Sequence, residues 1–282
     1  GAVRACEYDE LGRVVATRGY FKRTSVTGFF AAPPTSPVTV TAHAKDFIVR
    51  SFHDGDGNLV GALNGEGYLS EYVYDAAGRK VRDIGYASAT VAADRASGSF
   101  NLLKTGLASA GADRSVRYVY DGQGFLRFTI DALGGVTELR YWDGPGSSPS
   151  LTARQQATGL VRETIVYSAA LGALGSYDYA AVKTAVAALA GTRRVARFAY
   201  NDRAQLTYTV DAAGAVTRTW YDASGRITKT ASYSTFYDTA NLSADASTWK
   251  ATLDGWTPAG DATRITRNYY HVRDELAFAI DP

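Results

Sequence analysis

The stretch that decides the fold is Tyr200–Arg226, YNDRAQLTYTVDAAGAVTRTWYDASGR. Short runs rich in Thr, Val, Tyr and Trp alternate in it with the turns Asp211-Ala-Ala-Gly214 and Asp222-Ala-Ser-Gly225. Asp at the first turn position accepts a hydrogen bond from the backbone two residues on, and Gly at the fourth adopts a positive φ without steric cost. The runs between the turns suit a pleated, half-buried surface. The stretch therefore predicts consecutive β-hairpins.

The same turn recurs along the chain, with first residues ten and then eleven positions apart. Gly makes up only 28 of 282 residues, so this regular placement indicates an internal repeat rather than chance. Asn201-Asp-Arg-Ala204 is a weaker copy. The predicted turns begin at Asp9, Asp54, Asn64, Asp75, Asp121, Asp131, Asp211 and Asp222, and their glycines are Gly12, Gly57, Gly67, Gly78, Gly124, Gly134, Gly214 and Gly225.

Aromatic residues precede many of these turns and form a second repeated set. The members are Tyr8, Tyr74, Tyr120, Tyr141, Tyr200, Tyr221 and Tyr270, with His53 at the matching position. Stacked repeats would align such residues into rows, whose ordinary role is cross-strand packing. A row that faces solvent would instead offer ring faces for stacking on sugars, and the sequence leaves this alternative open.

The motif Tyr-Asp-x-x-Gly-Arg occurs in full at Tyr8–Arg13, Tyr74–Arg79 and Tyr221–Arg226. In this motif and its period near 21 residues, the chain resembles the YD, or RHS, repeat family. The resemblance implies a mainly all-β fold, in which stacked antiparallel hairpins form a long twisted or spiralling sheet or part of a hollow shell. It is similar in repeat type to the Tc toxin cocoon and to teneurin shells. The sequence departs from the motif at Trp142 and Pro145, and again at His271 and Asp274.

The repeats group into larger modules, since the matching positions 53, 120, 200 and 270 are 67, 80 and 70 residues apart. We predict one continuous array over residues 1–282. Its modules are 1–52 (partial), 53–119, 120–199, 200–269 and 270–282 (truncated), with inserts at about 24–46, 86–113, 144–192 and 232–263.

The inserts are expected to carry small helices along one rim of the array. Ser99–Leu107 is weakly helical, Ser176–Ala190 is the best helix, with Ser176 as its cap, and Ser243–Leu253 is a third helix, capped by Ser243. We expect the second helix to be a lid or rim element rather than a core element. Val38–Thr41 is a predicted extra edge strand.

Composition narrows the function classes. The 30 basic and 28 acidic residues nearly cancel, so nothing indicates nucleic acid as a partner. No apolar run reaches the length of a membrane span. Cys6 is the single cysteine, which rules out an internal disulfide. The absence of Met and the stop at Asp281-Pro282, where a turn is due, suggest a piece of a longer protein.

The residues that could act in catalysis or bind a metal ion have simpler structural explanations. Asp54–Asn58 looks like the start of a calcium loop, but Leu59 and Gly65 stand where an EF-hand needs Gly and Glu. His43, His53 and His271 complete no catalytic set. The many Asp residues occupy turn starts instead of converging as paired carboxylates. We therefore predict no catalytic, cofactor-binding or metal-binding residue.

The leading functional hypothesis is a non-catalytic structural segment of the shell or scaffold of a large bacterial protein, secreted or at the cell surface. The resemblance implies that such a shell encloses or displays a toxin or effector. The expected partner is the remainder of the same polypeptide. The alternative is an adhesin module that binds glycan or a neighbouring cell.

Overall fold

The computed structural model describes residues 2–24, 39–41, 43, 45–107, 113–142, 159–242, 246–256, 258, 263–271 and 275–281. The fold is mainly β, as predicted: sixteen strands form an antiparallel sheet whose strand order follows the order of the chain. The chain divides into two compact units, Gly1–Tyr118 and Val119–Pro282.

The first unit contains the strands β1 to β6 and most of β7. Their bounds are β1 Val3–Tyr8, β2 Val14–Tyr20, β3 Phe47–His53, β4 Leu59–Leu63, β5 Tyr68–Tyr74, β6 Lys80–Ala89 and β7 Arg114–Tyr120. Between β6 and β7 lie a short 3-10 helix, Ala92–Asp94, and the helix α1, Phe100–Thr105.

In its described residues, the second unit contains the remaining strands and two α-helices. Its elements are β8 Leu126–Ile130, β9 Val136–Tyr141, β10 Val161–Tyr167, α2 Tyr179–Ala187, β11 Arg193–Tyr200, β12 Leu206–Val210, β13 Val216–Tyr221, β14 Ile227–Ser232, α3 Trp249–Asp254, β15 Arg264–Tyr270 and β16 Leu276–Ile280. Two 3-10 helices, Thr239–Asn241 and Ala246–Thr248, precede α3.

The turn between β13 and β14 shows how the strands are joined. The Gly225 amide donates to the Asp222 carbonyl, and the Asp222 amide donates to the Arg226 carbonyl, at 3.1 and 3.0 Å. Gly225 has a φ of 87°, and the strand register shifts between Trp220 and Tyr221. The turn is therefore tight and ends in a left-handed glycine, a common hairpin connection. The register shift lies beyond the turn, and the β12–β13 pair, with the same turn, has none. The turn chemistry therefore sets the strand register.

The four-strand modules bury the same positions. Leu63 on β4, Ile130 on β8 and Val210 on β12 are spaced by the module periods, and all three are buried. Leu69, Val136 and Val216, at the start of the following strands, are equally buried. Full burial of one such side chain stabilises the folded state by about 1.5–3 kcal/mol. Each module thus has its own apolar cluster.

The insert helices complete these clusters. The second helix covers the sheet as a lid, but it also contributes buried residues, which corrects the prediction that it is not a core element. Val182 and Val186 of α2 are buried against Phe128, Ile130 and Val136. Trp249 and Leu253 of α3 and Leu103 of α1 hold similar places in their own clusters. The helices cover the sheet because a sheet face of Val, Ile and Leu requires an apolar layer above it.

The helices are shorter than predicted, and one begins differently. Asp178, not Ser176, caps α2, because its Oδ1 accepts from the Ala181 amide at 2.8 Å. Ser176 instead donates its hydroxyl to Asp178 at 2.6 Å. Ser99 caps α1 through the Leu102 amide. Ser243, the predicted cap of the third helix, lies outside the described residues.

Some insert boundaries also move. Strand β6 continues to Ala89, because Ala89 still pairs with Tyr68, so the second insert begins after 89 and not at 86. Strand β10 lies within the predicted insert 144–192, where the sequence predicts a strand at Glu163–Tyr167, and it pairs with both β9 and β11. Residues 39–41 form no strand, and Val38 lies outside the described residues.

Ala204 gives a stability prediction. It occupies the fourth turn position, has a φ of 61°, and is the non-glycine residue with positive φ among those described. The left-handed region costs an L-residue about 1 kcal/mol or more. Ala204→Gly should therefore raise the free energy of unfolding by about 1 kcal/mol.

The matched control is Ala213→Gly, at a turn position without positive φ. This change should lower stability by about 0.5 kcal/mol, since it only adds freedom to the unfolded chain. Urea unfolding of the three proteins compares them. Equal effects of both substitutions would contradict the conformational explanation.

Candidate functional site

The turn aspartates bind their own turns through both carboxylate oxygens. In Asp75, Oδ1 accepts from the amides of Ala77 and Arg79, each at 2.9 Å. Oδ2 accepts from the Arg79 guanidinium at 2.8 Å. Asp9 with Arg13 and Asp222 with Arg226 repeat this ion pair. The Arg of the Tyr-Asp-x-x-Gly-Arg motif thus closes the turn that precedes it.

Turns without this Arg use other partners. The side-chain amide of Asn58 donates to Asp54 at 3.0 Å, and the side-chain amide of Asn201 donates to the side-chain oxygen of Gln205 at 2.8 Å. Asp121 forms an ion pair with Arg127, which lies two residues beyond the position that the motif Arg occupies in the other turns, at 2.5 Å. The remaining turn residues accept from the backbone amides of their own turns: Asn64, Asp131 and Asp211.

These contacts favour the ionised carboxylate. The Arg226 amide, reinforced by its guanidinium, lowers the pKa of Asp222. The Asn58 side-chain amide, with backbone amides of the turn, lowers the pKa of Asp54. The contacts of Asp54 also account for its calcium-loop appearance, because its oxygens are engaged within the turn.

The repeated tyrosines connect each strand to the strand directly before it. Tyr74, Tyr141 and Tyr221 each donate a hydroxyl hydrogen bond to a carbonyl fifteen residues earlier, at Leu59, Leu126 and Leu206, over 2.8–3.0 Å. Tyr200 and Tyr270 donate similarly to Val161 and Ile227. Tyr120 lies at the end of β7 and is half-buried, whereas Tyr8 on β1 is exposed.

Three inserts are attached to the second turn of their modules by one repeated hydrogen bond, which we call the insert–glycine bond. The amides of Thr90, Leu171 and Tyr237 donate to the carbonyls of Gly67, Gly134 and Gly214 at 2.7–2.8 Å. All three donor residues are buried. No sequence pattern marks these donors, because their residue types differ and the bond is made by the backbone amide.

The glycines at these bonds are needed for space as well as for φ. A Cβ on Gly134 would lie 2.4 Å from the Leu171 carbonyl oxygen, and one on Gly214 would lie 2.2 Å from that of Tyr237. A Cβ on Gly78, in a turn that holds no insert, would meet nothing within 4 Å. Two turn types with one sequence pattern therefore differ in what surrounds them.

Strand and helix also compensate each other in volume. Gly61 on β4 stands at the position of Phe128 on β8 and Tyr208 on β12, and Phe100 of α1 occupies the space above it, 2.2 Å from the place of a Cβ. In the second module, Phe128 contacts Tyr179 of α2 at a ring distance of 6.1 Å. An aromatic ring therefore fills this place in every module, from the helix or from the strand.

An ion pair between strand and helix recurs in two modules, with the acidic residue on the strand in one and on the helix in the other. In the first module, Glu71 of β5 accepts from Lys104 of α1 at 2.5 Å. In the third, Arg218 of β13, at the equivalent position, donates to Asp254 of α3 at 2.7 Å. In the second, Glu138 accepts from Tyr167 and pairs with Arg140 on its own strand. Burial, together with the contact to Glu138, raises the pKa of Tyr167 to about 12.

A groove of about 380 Å³ lies beside the Arg218–Asp254 pair. Trp220 on its wall has Arg218 and Lys229 at 4.5 and 4.2 Å from its ring. In the first unit, Lys80 lies over both Tyr72 and Tyr118. These rings are engaged by cations of the protein itself, and no observation among the described residues favours their use for sugar stacking.

The histidines do not assemble a reactive site in the described part of the chain. His43 stacks on Phe21 at 4.5 Å. The His271 amide donates to the Glu275 carbonyl, as an Asp amide does in the other turns, and His53 lies at the end of β3. Among the described residues, no group of three His, Cys, Asp or Glu side chains is placed to hold a metal ion. None of the described helices is long and apolar enough to cross a membrane.

The insert–glycine bond gives a prediction with a matched control. Gly214→Ala should lower the free energy of unfolding by about 3 kcal/mol or more, because it adds a clash with the Tyr237 carbonyl to the left-handed penalty. Gly78→Ala, with the penalty alone, should lose about 1 kcal/mol. Denaturant unfolding measures both, and equal losses would contradict the role of close approach.

The turn carboxylates predict a pH dependence. Since the folded-state pKa of Asp222 is lowered, its contribution is present above the unfolded value, about 3.9, and is lost as pH falls through the folded value. Asp222→Asn keeps the turn acceptor but removes this titration. Stability of the variant should therefore fall less steeply below about pH 4. Thermal unfolding between pH 2 and 7 provides the comparison, and parallel curves would contradict it.

Comparison with known proteins shows likeness in fold. No protein-family model and no curated protein matches the sequence. Among solved structures, TcdB2-TccC3 matches over 100% of this chain and 11% of the other, with a TM-score of 0.52 and 11% identity. TcdB2-TccC3-Cdc42 matches with a TM-score of 0.52, 11% identity and the same full coverage of this chain, and TcdB2-TccC3-TEV with 0.51 and 12%.

The chain spans about a tenth of the length of these matched chains, which are 10–11% covered. At such identity the likeness concerns the fold alone. The shared fold is the sheet of consecutive antiparallel strands described above.

Proposed function

We propose that this chain is a non-catalytic scaffold segment in the shell of a large secreted bacterial protein, one that encloses or displays a toxin or effector. The observation that carries the proposal is the repetition of one structural unit: four strands, an apolar cluster, and an insert bonded to the second turn. Such units extend a wall by nearest-neighbour contacts. The fold likeness to TcdB2-TccC3, a Tc toxin pair, supports a scaffold role in a toxin assembly.

The polar side chains support a scaffold rather than an enzyme. A catalytic site brings reactive groups together at positions that break the rules of the surrounding fold. Here the turn aspartates accept from their own turns, and the ion pairs Glu71–Lys104 and Arg218–Asp254 join strands to insert helices. These groups are used to hold the repeat together.

The partner in this proposal is the remainder of the same polypeptide, including an enclosed segment. The bacterial source and the secreted location follow from the resemblance of the Tyr-Asp-x-x-Gly-Arg motifs. Glycan binding as an adhesin remains the alternative, and the ring contacts with Arg218, Lys229 and Lys80 do not support it.

The test is protease protection in the full-length polypeptide that carries this segment. If the segment is part of a shell wall, the enclosed part should resist protease in the native protein. Gly214→Val, which displaces the insert at Tyr237, should make that part cleavable, whereas Ala213→Val in the same turn should not.

Two results would contradict the proposal. One is equal cleavage of the remainder in all three proteins. The other is turnover of a substrate by the isolated chain that one point substitution abolishes without unfolding. Binding on a glycan array, lost on Trp220→Ala, would favour the adhesin instead.

A further inference from the structure

The groove beside the Arg218–Asp254 pair contains one carboxylate that serves two cations. Its walls come from the turn after β11, from β12 and β13, and from the helix α3. Asp254 accepts through Oδ1 from Arg218 at 2.7 Å and from the Tyr208 hydroxyl at 2.8 Å. Its Oδ2 accepts from Lys250 at 2.5 Å. Asp222, the other acidic residue among the described residues of the wall, is held by its own turn and its motif arginine.

Two further cations at the groove have no carboxylate partner among the described residues. Arg203 donates to the Ala223 carbonyl at 2.9 Å, which joins the turn after β11 to the turn after β13. Lys229 lies 4.2 Å from the ring of Trp220, which lines the groove. Four cations therefore surround the groove and share the carboxylate of α3. Such a surplus of positive charge in a cleft attracts anions.

This surplus is specific to the third module. The positions of Arg203 and Arg218 are acidic or neutral in the first two modules, where the residues are Asp56, Gln123, Glu71 and Glu138. The turn hydrogen bond and the strand register are the same in all three modules. The repeat therefore does not require arginine at either position. Two changes toward positive charge on the wall of one groove indicate a site for an anion.

The cations are distributed along the groove rather than gathered at one point. Lys229 pairs with Trp220 in the sheet, so Arg218 and Lys229 lie on neighbouring strands at diagonal positions, about 7–8 Å apart. Arg203 lies beyond them, against the turn that follows β13. Acidic side chains at alternate positions of an extended peptide repeat at about 7 Å. The spacing of the cations fits such a peptide better than a single phosphate group.

We propose that this groove binds an extended acidic peptide, whose alternate carboxylates are held by Arg203, Arg218 and Lys229. Arg218 gives one nitrogen, Nη2, to Asp254, which leaves its other donors for a ligand. A guanidinium can donate two parallel hydrogen bonds to one carboxylate. The volume of about 380 Å³ admits a short segment, since ligand sites commonly enclose about 300–1,000 Å³. This inference goes beyond the proposed function and does not depend on it.

Isothermal titration calorimetry of the chain tests the chemistry of the ligand. The probe is a short end-blocked peptide of alternating Glu and Ser, and its control is the same peptide with Gln in place of Glu. We expect saturable binding of the Glu peptide that weakens as salt is added, and no binding of the Gln peptide. Absence of binding by the Glu peptide, or equal binding of both peptides, would overturn the proposal. Equally tight binding of pyrophosphate or polygalacturonate would overturn the assignment to a peptide.

Substitutions test the location of the site. Arg203→Gln is compatible with the turn, because Gln123 stands at this position in the second module. Arg203→Gln and Lys229→Gln should each weaken binding of the Glu peptide about fivefold, and the double variant at least about tenfold. The matched control is Arg194→Gln, which removes an exposed arginine of β11 outside the groove and should leave the affinity unchanged. Circular dichroism verifies that the variants fold. Unchanged affinity of the double variant, or an equal loss in the control, would overturn the inference.

Discussion

The structure depends on the left-handed glycine at the end of each Asp-x-x-Gly turn. Gly214 and Gly225, at φ 94° and 87°, allow the chain to reverse within four residues. A strand that slips by one residue would expose its whole apolar set. By fixing the register at every hairpin, the turn brings Leu63, Ile130 and Val210 to the same face of their modules. The apolar clusters form because the turns give every module the same strand register.

The aspartate and the tyrosine of the motif act on the two sides of this turn. The carboxylate binds the amides inside the turn, and the tyrosine hydroxyl donates to a carbonyl of the preceding strand, as in Tyr221 to Leu206. A net hydrogen bond contributes about 0.5–1.5 kcal/mol, which is small alone but repeated along the array. The motif therefore positions each hairpin against the preceding one. The insert then covers the module and is held by the glycine carbonyl of the second turn.

Sequence reasoning reached the all-β fold and the chain-order hairpins because Asp, Gly and the β-formers act locally. It did not reach the insert–glycine bonds, since Thr90, Leu171 and Tyr237 donate through their backbone amides, which no side-chain pattern marks. It also predicted that α2 is a lid or rim element and not a core element, although Val182 and Val186 are buried. The replacement of the Glu71–Lys104 ion pair in one module by Arg218–Asp254 in another could not be predicted either, because the two partners of each ion pair are far apart in sequence.

Hydrogen exchange at the insert–glycine bonds tests most directly the claim that each insert is built into its module. The amides of Thr90, Leu171 and Tyr237 lie in segments without strand or helix, where exchange is ordinarily fast. If the claim holds, they should exchange as slowly as the amides of the neighbouring strands β5, β9 and β13, in all three modules. Exchange at the rate of exposed turn amides such as Leu133, with the strand amides still protected, would show that the inserts are only loosely attached and would contradict the account.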